Sequence, residues 1–334
     1  MLHENEFDIV ITWVDWSNKN FVKKMIEAGG RSEGCESGEF LELKYLLRSL
    51  KKHKVGYRHI YIVHSDNHPP PKYLSKNQSD LFLIKHSEIV RDSSHLPLIH
   101  RESIVSHLYR IPGLHRYFFY IQDDIFINNK AIFDEMIANY RNKKINTHRC
   151  KLNLEYDVTK PCGLWYQGTV NSARIVLNEN FNEKINTGNY SFITFKHGIQ
   201  FFDQSILTQI EKLYPLEFIE TATYKDQANE KHKEKSIFCL TCIFINYLIY
   251  KMDFTELAYP ENYNKEIHTN GYANKLNNAI LTEFHNNLQN SQCYCSFNVQ
   301  GDGASDEYPR CQPIHDIFYS YLNKLYPIKT TYEK

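Results

Sequence analysis

The chain has 334 residues, with 39 basic and 39 acidic side chains and therefore no net charge. This balance argues against a dedicated nucleic-acid-binding protein, which usually carries a basic excess. The apolar fraction of 42% and the aromatic fraction of 14% supply a large core, which excludes disorder along the whole chain. No stretch approaches the roughly 20 apolar residues of a membrane-spanning helix, and the acidic start MLHENEFDIV does not resemble a signal peptide. We therefore expect a soluble, cytoplasmic protein.

Up to residue 125 the chain alternates between short apolar runs and amphipathic segments. The apolar runs predict four strands, at 9–14, 59–65, 81–86 and 117–122. Apolar residues at helical spacing predict helices at 40–53 and 101–111, and the polar, glycine-containing stretch 17–37 is typical of a long loop. This order of elements predicts an α/β fold with a Rossmann-like, mainly parallel sheet flanked by helices.

The second half of the chain is predicted to be more helical. Its apolar spacing predicts three helices, at 201–213, 237–250 and 314–326. The second of these is apolar on nearly all sides and should be buried. The charged stretch 224–235 is typical of a surface loop.

The clearest chemical motif is the acidic pair Asp123-Asp124, which directly follows the strand at 117–122. Ligands of parallel sheets bind outside the carboxyl ends of strands, where Asp15 and the turn 65–67 are also expected. Two adjacent carboxylates there suit Mg²⁺ or Mn²⁺, hard cations that also bind substrate phosphates. The alternative is an ordinary solvent-exposed turn, with one aspartate capping the next helix.

Two other positions carry groups that could act on a phosphate or a hydroxyl. His197 precedes the helix predicted at 201–213, whose N-terminus would favour a neutral imidazole and attract phosphate. A neutral imidazole can accept a proton from a hydroxyl. Lys44 and Arg48 lie four residues apart on one helix face, so both can point at one anion. The plainer alternatives are a surface histidine and a solvent-exposed helix face.

Eight cysteines are too few for a disulfide framework in a chain of this length. Cys239 and Cys242 fall in the apolar helix and are expected to be buried core thiols rather than a zinc or redox site. A weaker zinc pattern comprises Cys293, Cys295, Cys311 and His315. No glycine-rich phosphate loop of standard spacing occurs, so an ATP kinase or a nicotinamide enzyme is not expected.

Several segments spread from residue 8 to residue 333 carry a family likeness. The strongest are ELKYLLRSL (42–50), HIYIVHSDNHPP (59–70) and LPLIHRESIVSHLYRIPGLHRYFFYIQDDIF (96–126). The others are DIVITWVD (8–15), FKHGIQFFDQSILTQIEKLYP (195–215), CSFNVQGDG (295–303) and LYPIKTTYE (325–333). The chain resembles, on these segments, the Stealth family of hexose-1-phosphate transferases. That family includes bacterial capsular and cell-surface polysaccharide phosphotransferases and the lysosomal N-acetylglucosamine-1-phosphotransferase.

The chain departs from the family pattern at a few positions. The arginine-rich entry to the second segment reads EGCESGEF (33–40) here, without the arginine. The other replaced positions are His100-Arg101 for Asn-Ser, Val105 for a glutamate, and Gln200 for a second histidine. An arginine expected before the apolar helix has no counterpart unless His232 or a neighbouring lysine serves. These departures concern acceptor contacts and one phosphate-binding cation, whereas Asp123, Asp124 and His197 match the pattern.

The resemblance implies a nucleotide-sugar-transferase-like fold and a defined reaction. A hexose-1-phosphate or N-acetylhexosamine-1-phosphate would pass from a UDP-sugar to a hydroxyl of an acceptor sugar. UMP would leave, and a phosphodiester would form in a capsular or cell-surface polysaccharide. Asp123 and Asp124 would bind Mg²⁺ or Mn²⁺, and His197 would be the catalytic base. The implied substrate-binding residues are Trp13, Asp15, Lys44, Arg48, His100, Arg101, Asn298 and Asp302.

We expect residues 1–140 to form the core that binds the nucleotide-sugar and the metal, and residues 141–334 to complete the same catalytic domain. The expected partners are a UDP-sugar donor and an oligosaccharide or lipid-linked sugar acceptor, with no nucleic acid. Peripheral association with a polysaccharide assembly complex at the inner face of the membrane is also expected. Two alternatives stay open: a metal-dependent glycosyltransferase that releases UDP, and an inactive carbohydrate-binding homologue.

Overall fold

The computed structural model describes most of the chain, and the account below concerns that part. The described residues are 7–15, 18–29, 41–69, 71–75, 78–150, 163–181, 191–195, 198–224, 237–259, 264–268, 282, 286, 294–298 and 312–334. Only the backbone is described at 150, 163–166, 264–268, 294–298 and 312–318.

The central sheet contains β1 (Asp8–Thr12), β2 (Ile60–His64), β3 (Leu81–Lys85), β4 (Tyr117–Gln122) and β8 (Gln200–Asp203). Their order across the sheet is β3-β2-β1-β4-β8. The first four strands are parallel to one another, and β8 is antiparallel to β4. The four strands predicted from apolar runs are confirmed. The predicted α/β class, with a mainly parallel sheet flanked by helices, is confirmed with them.

Two smaller sheets of three strands lie beside it. One has the order β10 (Asn264–His268), β11 (Tyr294–Asn298) and β5 (Ile125–Ile127), and the other the order β7 (Phe192–Thr194), β6 (Lys144–Cys150) and β9 (Thr255–Ala258). The strand β5 follows β4 after a turn of two residues, so the first small sheet is joined directly to the central one.

The helices of the described residues are α1 (Lys19–Glu27), α2 (Glu42–Lys52), α3 (His86–Ile89), α4 (Arg101–Val105), α5 (Ala131–Arg141), α6 (Gly163–Leu177), α7 (Gln204–Leu213), α8 (Pro215–Ala222), α9 (Leu240–Met252) and α10 (Gln312–Leu325). Short 3₁₀ turns lie at 93–95 and 108–110. The predicted helices at 40–53, 237–250 and 314–326 are confirmed as α2, α9 and α10. The first half of α9 is buried throughout, as predicted.

Both faces of the central sheet are covered by helices. Phe119 of β4 packs edge-on against Phe133 of α5, with ring centroids 4.8 Å apart. On the opposite face, Phe202 of β8 packs against Phe244 of α9 at 5.3 Å. Since most of both faces is apolar and covered, we expect the polar side chains of the strands to lie mainly at or near the ends of the sheet.

The prediction of a loop over 17–37 is wrong for its first part, which forms α1. The side chain of Asn18 accepts a hydrogen bond from the backbone N–H of Phe21 at 3.1 Å and so caps this helix. Met25 is the buried residue of its apolar side. The polar composition hid a capped helix that needs only one apolar stripe to pack.

The helix predicted at 201–213 begins later than expected. Residues Gln200–Asp203 form the edge strand β8, and Asp203 caps α7 by accepting the N–H of Ser205 at 2.9 Å. Phe201 and Phe202 point to opposite faces of the sheet, which the helical interpretation could not accommodate. The predicted loop at 224–235 lies, from residue 225, outside the described residues.

The boundary proposed between residues 140 and 141 stays a prediction, although β8 shows that the second half contributes a strand to the central sheet. Among the residues that the structure describes, no helix combines the length and the apolar character needed to cross a membrane.

Candidate active site

The carboxyl edge of the central sheet collects most of the predicted site residues. Thr12 at the end of β1 pairs with Gln122 at the end of β4. The residues that follow these strands, Trp13 and Asp123, therefore emerge side by side at this edge. The strand β8 runs in the opposite direction, so its first residue, Gln200, enters from the same edge and pairs with Tyr120.

Asp123 and Asp124 form the whole connection between β4 and β5, as a two-residue turn, and both are half-buried. Each has a polar or electrostatic partner within the chain. The prediction that the pair lies at the carboxyl end of a buried strand is confirmed. The alternative that one of them caps the next helix is not confirmed, because the strand β5 follows the turn and α5 begins only after Lys130.

The backbone of Asn298 reaches the same turn from the other side. In the small sheet, Ser296 of β11 pairs with Ile125, the first residue of β5, in antiparallel register. The strand β11 continues for two residues beyond that pair, to Asn298, and so runs alongside the turn. The side chain of Asn298 and the whole of Asp302 lie outside the described residues.

The donor set at this edge fits a hard divalent cation. Mg²⁺ is commonly held by one or two carboxylates, with substrate phosphates and water as its other ligands. Asp123 and Asp124, both half-buried, would supply two such carboxylates. Within the described residues there is no group of three or more histidine, cysteine or acidic side chains that would form a complete protein cage for a metal.

A buried polar cluster lies on the α9 face of the sheet, just inside the carboxyl edge. The hydroxyls of Thr12 and Tyr120 are 3.1 Å apart. Burial raises the pKa of Tyr120, while the charge of Arg101 and the hydrogen bond with Thr12 act in the opposite direction. The Oε1 of Gln200 accepts a short hydrogen bond from Thr241 of α9.

Arg101 is the cation that the structure places in this cluster. Its Nε lies 3.8 Å from Oε1 of Glu102, whose Oε2 accepts the N–H of Leu240 at 3.3 Å. Burial alone would lower the pKa of Arg101, but Glu102 and Tyr120 raise it, so the guanidinium stays charged. About a third of its side chain, 33%, remains exposed and can contact a ligand.

Two glutamines belong to this site, although the sequence predictions omitted them. Within the described part of the chain, the buried Oε1 of Gln122 and the buried Nε2 of Gln200 have no hydrogen-bond partner. The pairing of Thr12 with Gln122, and of Tyr120 with Gln200, puts all four side chains on one face of the sheet. The sequence held one signal for Gln122, its position directly before the acidic pair. It held none for Gln200, which reaches this cluster only through the pairing of β8 with β4.

Trp13 and Asp15 lie on the β1 side of the edge. The N–H of Asp15 donates to Nε2 of His68 at 3.1 Å, while Nδ1 of His68 donates to the carbonyl of Pro69 at 2.9 Å. The ring of Trp13 is 6% exposed and meets the His68 ring edge-on at 4.7 Å. Trp13 therefore packs at the base of this loop, and its place among the substrate-binding residues stays a prediction.

His100 caps α4, directly before Arg101. Its Nδ1 accepts the backbone N–H of Glu102 at 3.2 Å, and its ring meets that of Tyr224 edge-on at 4.8 Å. His100 is half-buried beside the polar cluster. Its observed contacts position the first turn of α4, and with it the guanidinium of Arg101.

Arg48 must be removed from the predicted substrate-binding residues. It is buried, and its Nε and NH2 groups donate to the two carboxylate oxygens of Glu333 at 2.8 and 2.7 Å. Its NH1 group donates to Asn323 and to the carbonyl of Tyr326. Lys44 lies 4.0 Å from the same carboxylate. Both cations do converge on one anion, as predicted, but that anion is the side chain of Glu333.

His197 lies outside the described residues, so its role stays a prediction. The helix-terminus argument made for it is wrong, because β8 separates it in sequence from α7. The strand carries the chain from the carboxyl edge, at Gln200, to the opposite edge, where Asp203 pairs with Tyr117 and α7 begins. The dipole of α7 therefore acts at the other end of the sheet.

The two cysteines of the apolar helix are buried, free thiols, as predicted. Burial raises the pKa of the Cys239 thiol, which keeps it protonated and unreactive. The weaker zinc pattern is not tested. Cys293 and Cys311 lie outside the described residues, and only the backbone is described at Cys295 and His315.

Solved structures match this chain only at low similarity. The glycosyltransferase GlyE of Streptococcus pneumoniae TIGR4 superposes with a TM-score of 0.41 and 12% identity, over 95% of this chain and 60% of that one. The galactosyltransferase LgtC, in complex with donor and acceptor sugar analogues, gives a TM-score of 0.38 and 10% identity, over 95% of each chain. TM-scores this low do not allow a function or a superfamily to be inferred for this chain.

Curated relatives share more of the sequence. The capsular polysaccharide phosphotransferase SacB of Neisseria meningitidis serogroup A is 25% identical over 340 residues, covering 99% of this chain and 58% of its own length. The human N-acetylglucosamine-1-phosphotransferase subunits alpha/beta are 32% identical over 104 residues, covering 31% of this chain and 8% of that protein. This chain therefore spans little more than half the length of the SacB sequences that it matches.

The family model that matches is described as Stealth protein CR2, conserved region 2, and it covers residues 37–145. This range contains α2, the strands β2 to β5 and the whole Asp123-Asp124 turn. It also contains Arg101 and Gln122 of the polar cluster. Residues 37–145 thus match conserved region 2 of the Stealth proteins, and the resemblance of the chain to that family is confirmed.

Proposed function

We propose that this chain transfers a hexose-1-phosphate, or an N-acetylhexosamine-1-phosphate, from a UDP-sugar to a hydroxyl of an acceptor sugar. The observation that carries the proposal is the position of the Asp123-Asp124 turn, at the carboxyl end of β4 and within conserved region 2. The matched relatives are named phosphotransferases of capsular polysaccharide, of exopolysaccharide and of N-acetylglucosamine-1-phosphate. The acceptor is an oligosaccharide or a lipid-linked sugar, and the latter would bring the protein to a membrane surface.

The reaction forms a bond between the acceptor oxygen and the β-phosphorus of the donor. It breaks the bond from that phosphorus to the bridging oxygen, which leaves with UMP. Charge therefore develops on the bridging oxygen, and a site is effective when it places positive groups there. A Mg²⁺ ion held by Asp123 and Asp124 would neutralise the diphosphate.

Among the described residues, we assign to Arg101 the role of the positive side chain that stabilises charge on the bridging oxygen. Its guanidinium lies near the carboxylate of Glu102, with Nε 3.8 Å from Oε1, and beside Tyr120 of β4, which precedes Asp123 by three residues. Asp15 and Asn298 flank the same edge. Arg101 takes the phosphate-binding role that was predicted for Lys44 and Arg48, because both of those side chains pair with the carboxylate of Glu333.

The acceptor hydroxyl needs a base, and we assign that role to His197. The described residues nearest to it in sequence support this choice, since Gly198 and Ile199 lead into β8 at the carboxyl edge. An imidazole preceding β8 would need only its ordinary neutral form to accept the proton at neutral pH.

The decisive experiment identifies the nucleotide that leaves. Purified protein is incubated with Mg²⁺, a panel of UDP-sugars and acceptor oligosaccharides, and the released nucleotide is separated by chromatography. We expect UMP, formed in equal amount with a phosphodiester product that ³¹P NMR detects. Release of UDP without a phosphodiester would establish the glycosyltransferase alternative. Saturable binding of the saccharides without any nucleotide release would establish the inactive carbohydrate-binding alternative.

A further inference from the structure

A pocket away from the acidic turn has the features of a second carbohydrate-binding site. It is an open depression of about 340 Å³, lined by Glu88, Ile89, Val90, Arg91, Tyr109, Arg110 and Thr208. These residues come from the end of α3, from the 3₁₀ turn 108–110 and from α7. The end of α3 follows β3, which is three strands away from β4 in the sheet, a separation of about 14 Å at ordinary strand spacing.

The polar groups of this pocket are held in place before any ligand binds. Arg91 donates to Oε1 of Glu211 at 2.9 Å, and Arg110 makes a short hydrogen bond to the same oxygen. Arg110 also donates to Nδ1 of His107 at 3.0 Å. Both guanidiniums are therefore oriented by partners on their inner side, while the side chain of Arg91 is 70% exposed on its outer side.

Two buried donors at this pocket lack a well-formed hydrogen bond among the described residues. Tyr109 is only 2% exposed, and its hydroxyl lies near the carboxylate of Glu211 and the guanidinium of Arg110 without a hydrogen bond of ordinary geometry. The Nε of Arg110 is also buried without a partner there. A buried donor left unpaired costs about 1–3 kcal/mol, so native proteins usually satisfy such groups with a ligand or a water molecule.

The balance of positive and negative side chains around the pocket favours a neutral ligand over an anion. Arg91 and Arg110 are balanced by Glu88 at the rim and Glu211 behind them. An anion would meet as many negative as positive groups, whereas a neutral polyol can accept from the arginines and Tyr109 and donate to the glutamates. Val90 is partly exposed and adds a small apolar surface that the C–H face of a pyranose can contact, whereas Ile89 is buried beneath it. The volume is within the range of small-ligand sites.

We propose that this pocket binds a neutral sugar residue of the acceptor saccharide, some distance from the hydroxyl that reacts. The proposal rests on the proposed function for the identity of the saccharide as acceptor. A chain anchored here and extended across the carboxyl ends of β2 and β1 would reach the Asp123-Asp124 turn. The pocket would then raise the affinity for long acceptors without contributing to the chemical step.

The first test measures binding alone, so it does not depend on turnover. A glycan array and saturation-transfer NMR are run on the wild type and on the variants Arg91→Gln, Tyr109→Phe and Lys212→Gln. The last removes an exposed charge of α7 that does not line the pocket. We expect at least one neutral oligosaccharide to bind, about tenfold more weakly to Arg91→Gln and Tyr109→Phe, and unchanged to Lys212→Gln.

Several results would overturn the assignment. They are binding of no neutral oligosaccharide at millimolar concentration, equal binding by all four proteins, or binding of inorganic phosphate that Arg91→Gln abolishes. The last result would identify an anion site instead.

A second test uses the proposed reaction. For Arg91→Gln we expect the KM of a long acceptor to rise about tenfold, with kcat and the KM of a monosaccharide acceptor unchanged. If the wild type transfers nothing, the proposed function fails while the binding result still stands. If transfer occurs but the long and short acceptors respond alike to Arg91→Gln, the second site fails and the proposed function stands.

Discussion

At the scale of single residues, the acidic turn is where the proposed chemistry can be tested most directly. Asp123→Asn and Asp124→Asn each remove a carboxylate that would bind the metal. We expect kcat to fall by about 10²–10³, because the diphosphate loses its charge stabilisation. The measurement is the initial rate across a Mg²⁺ titration, with circular dichroism to verify folding.

Asp134→Asn is the matched control, because it neutralises an exposed aspartate in the first turn of α5. Its rate should equal that of the wild type. Full activity of both site variants, together with full activity in EDTA, would show that Asp123 and Asp124 only form a turn and bind no catalytic metal.

Gln200 tests whether the buried cluster contacts the donor. Gln200→Glu keeps an oxygen to accept from Thr241 but replaces the unpaired NH₂ group with a second oxygen. If that NH₂ donates to the sugar of the donor, affinity for the UDP-sugar falls about tenfold while affinity for UDP is unchanged. Calorimetric titration with both ligands provides the comparison. An equal affinity of variant and wild type for the UDP-sugar would place Gln200 outside the donor site.

His197 is tested through the pH dependence of the rate. A base must be neutral to act, so kcat should fall as pH drops through the pKa of His197, whose unperturbed value is about 6.5. His197→Gln keeps a polar side chain but cannot take the proton, and should lose about 10²–10⁴ in kcat with little change in donor KM. A variant that keeps its rate and its acid limb would make His197 a positioning residue.

At the scale of elements, the contact between α2 and the segment after α10 replaces a predicted phosphate site. The carboxylate of Glu333 receives both arms of Arg48 and the backbone N–H of Thr330. Burial alone would raise the pKa of Glu333, but these hydrogen bonds lower it. The helix α2 in turn supports the acidic turn, because Ser49 accepts the N–H of Ile127 in β5 at 3.0 Å.

Glu333→Gln would leave the buried guanidinium of Arg48 without its counter-charge. We expect the free energy of unfolding to fall by about 3–5 kcal/mol, the usual cost of breaking a buried pair. Urea denaturation gives this value. Glu27→Gln breaks the exposed Lys23–Glu27 pair and should change stability by less than about 0.5 kcal/mol. Equal stabilities of the two variants would show that the buried pair does not hold the two segments together.

The element boundaries show where sequence patterns fail. The strands β1 to β4 were predictable because a short β-branched run buried on both faces has few alternatives. The strand β8 was not, because Phe201, Phe202 and Ile206 also fit a helical stripe. Only pairing with β4 decides between the two. The helix α1 was missed because its cap, Asn18, is also a common loop residue.

At the scale of the whole molecule, buried histidines make the fold sensitive to acid. Burial is the main cause that lowers the pKa of His86, to about 4, with Asp66 opposing and His64 assisting. Burial also lowers the pKa of His107 to about 3, assisted by Arg110. Between these values and 6.5 the unfolded chain binds more protons than the folded one, so stability falls as pH falls through that window.

Each of these two histidines should contribute a slope of about 1.4 kcal/mol per pH unit between pH 6.5 and pH 4. His86→Gln removes one titrating group, so the slope measured by urea denaturation should drop by about that amount. His148→Gln, at an exposed position, is the matched control variant. A slope that stays the same in His86→Gln would mean that His86 is already protonated in the folded protein.

The sequence by itself determined the α/β class, the four parallel strands and the position of Asp123 and Asp124 at the end of one of them. These features depend on local burial patterns, which a single stretch of chain displays. The tertiary structure alone decided which polar groups meet. It paired Arg48 with Glu333, 285 residues later in the chain, and brought Gln200 beside Tyr120. It also placed Arg101 beside Tyr120, while Glu333 pairs with Lys44 and Arg48, and such partners are set by contacts between distant segments.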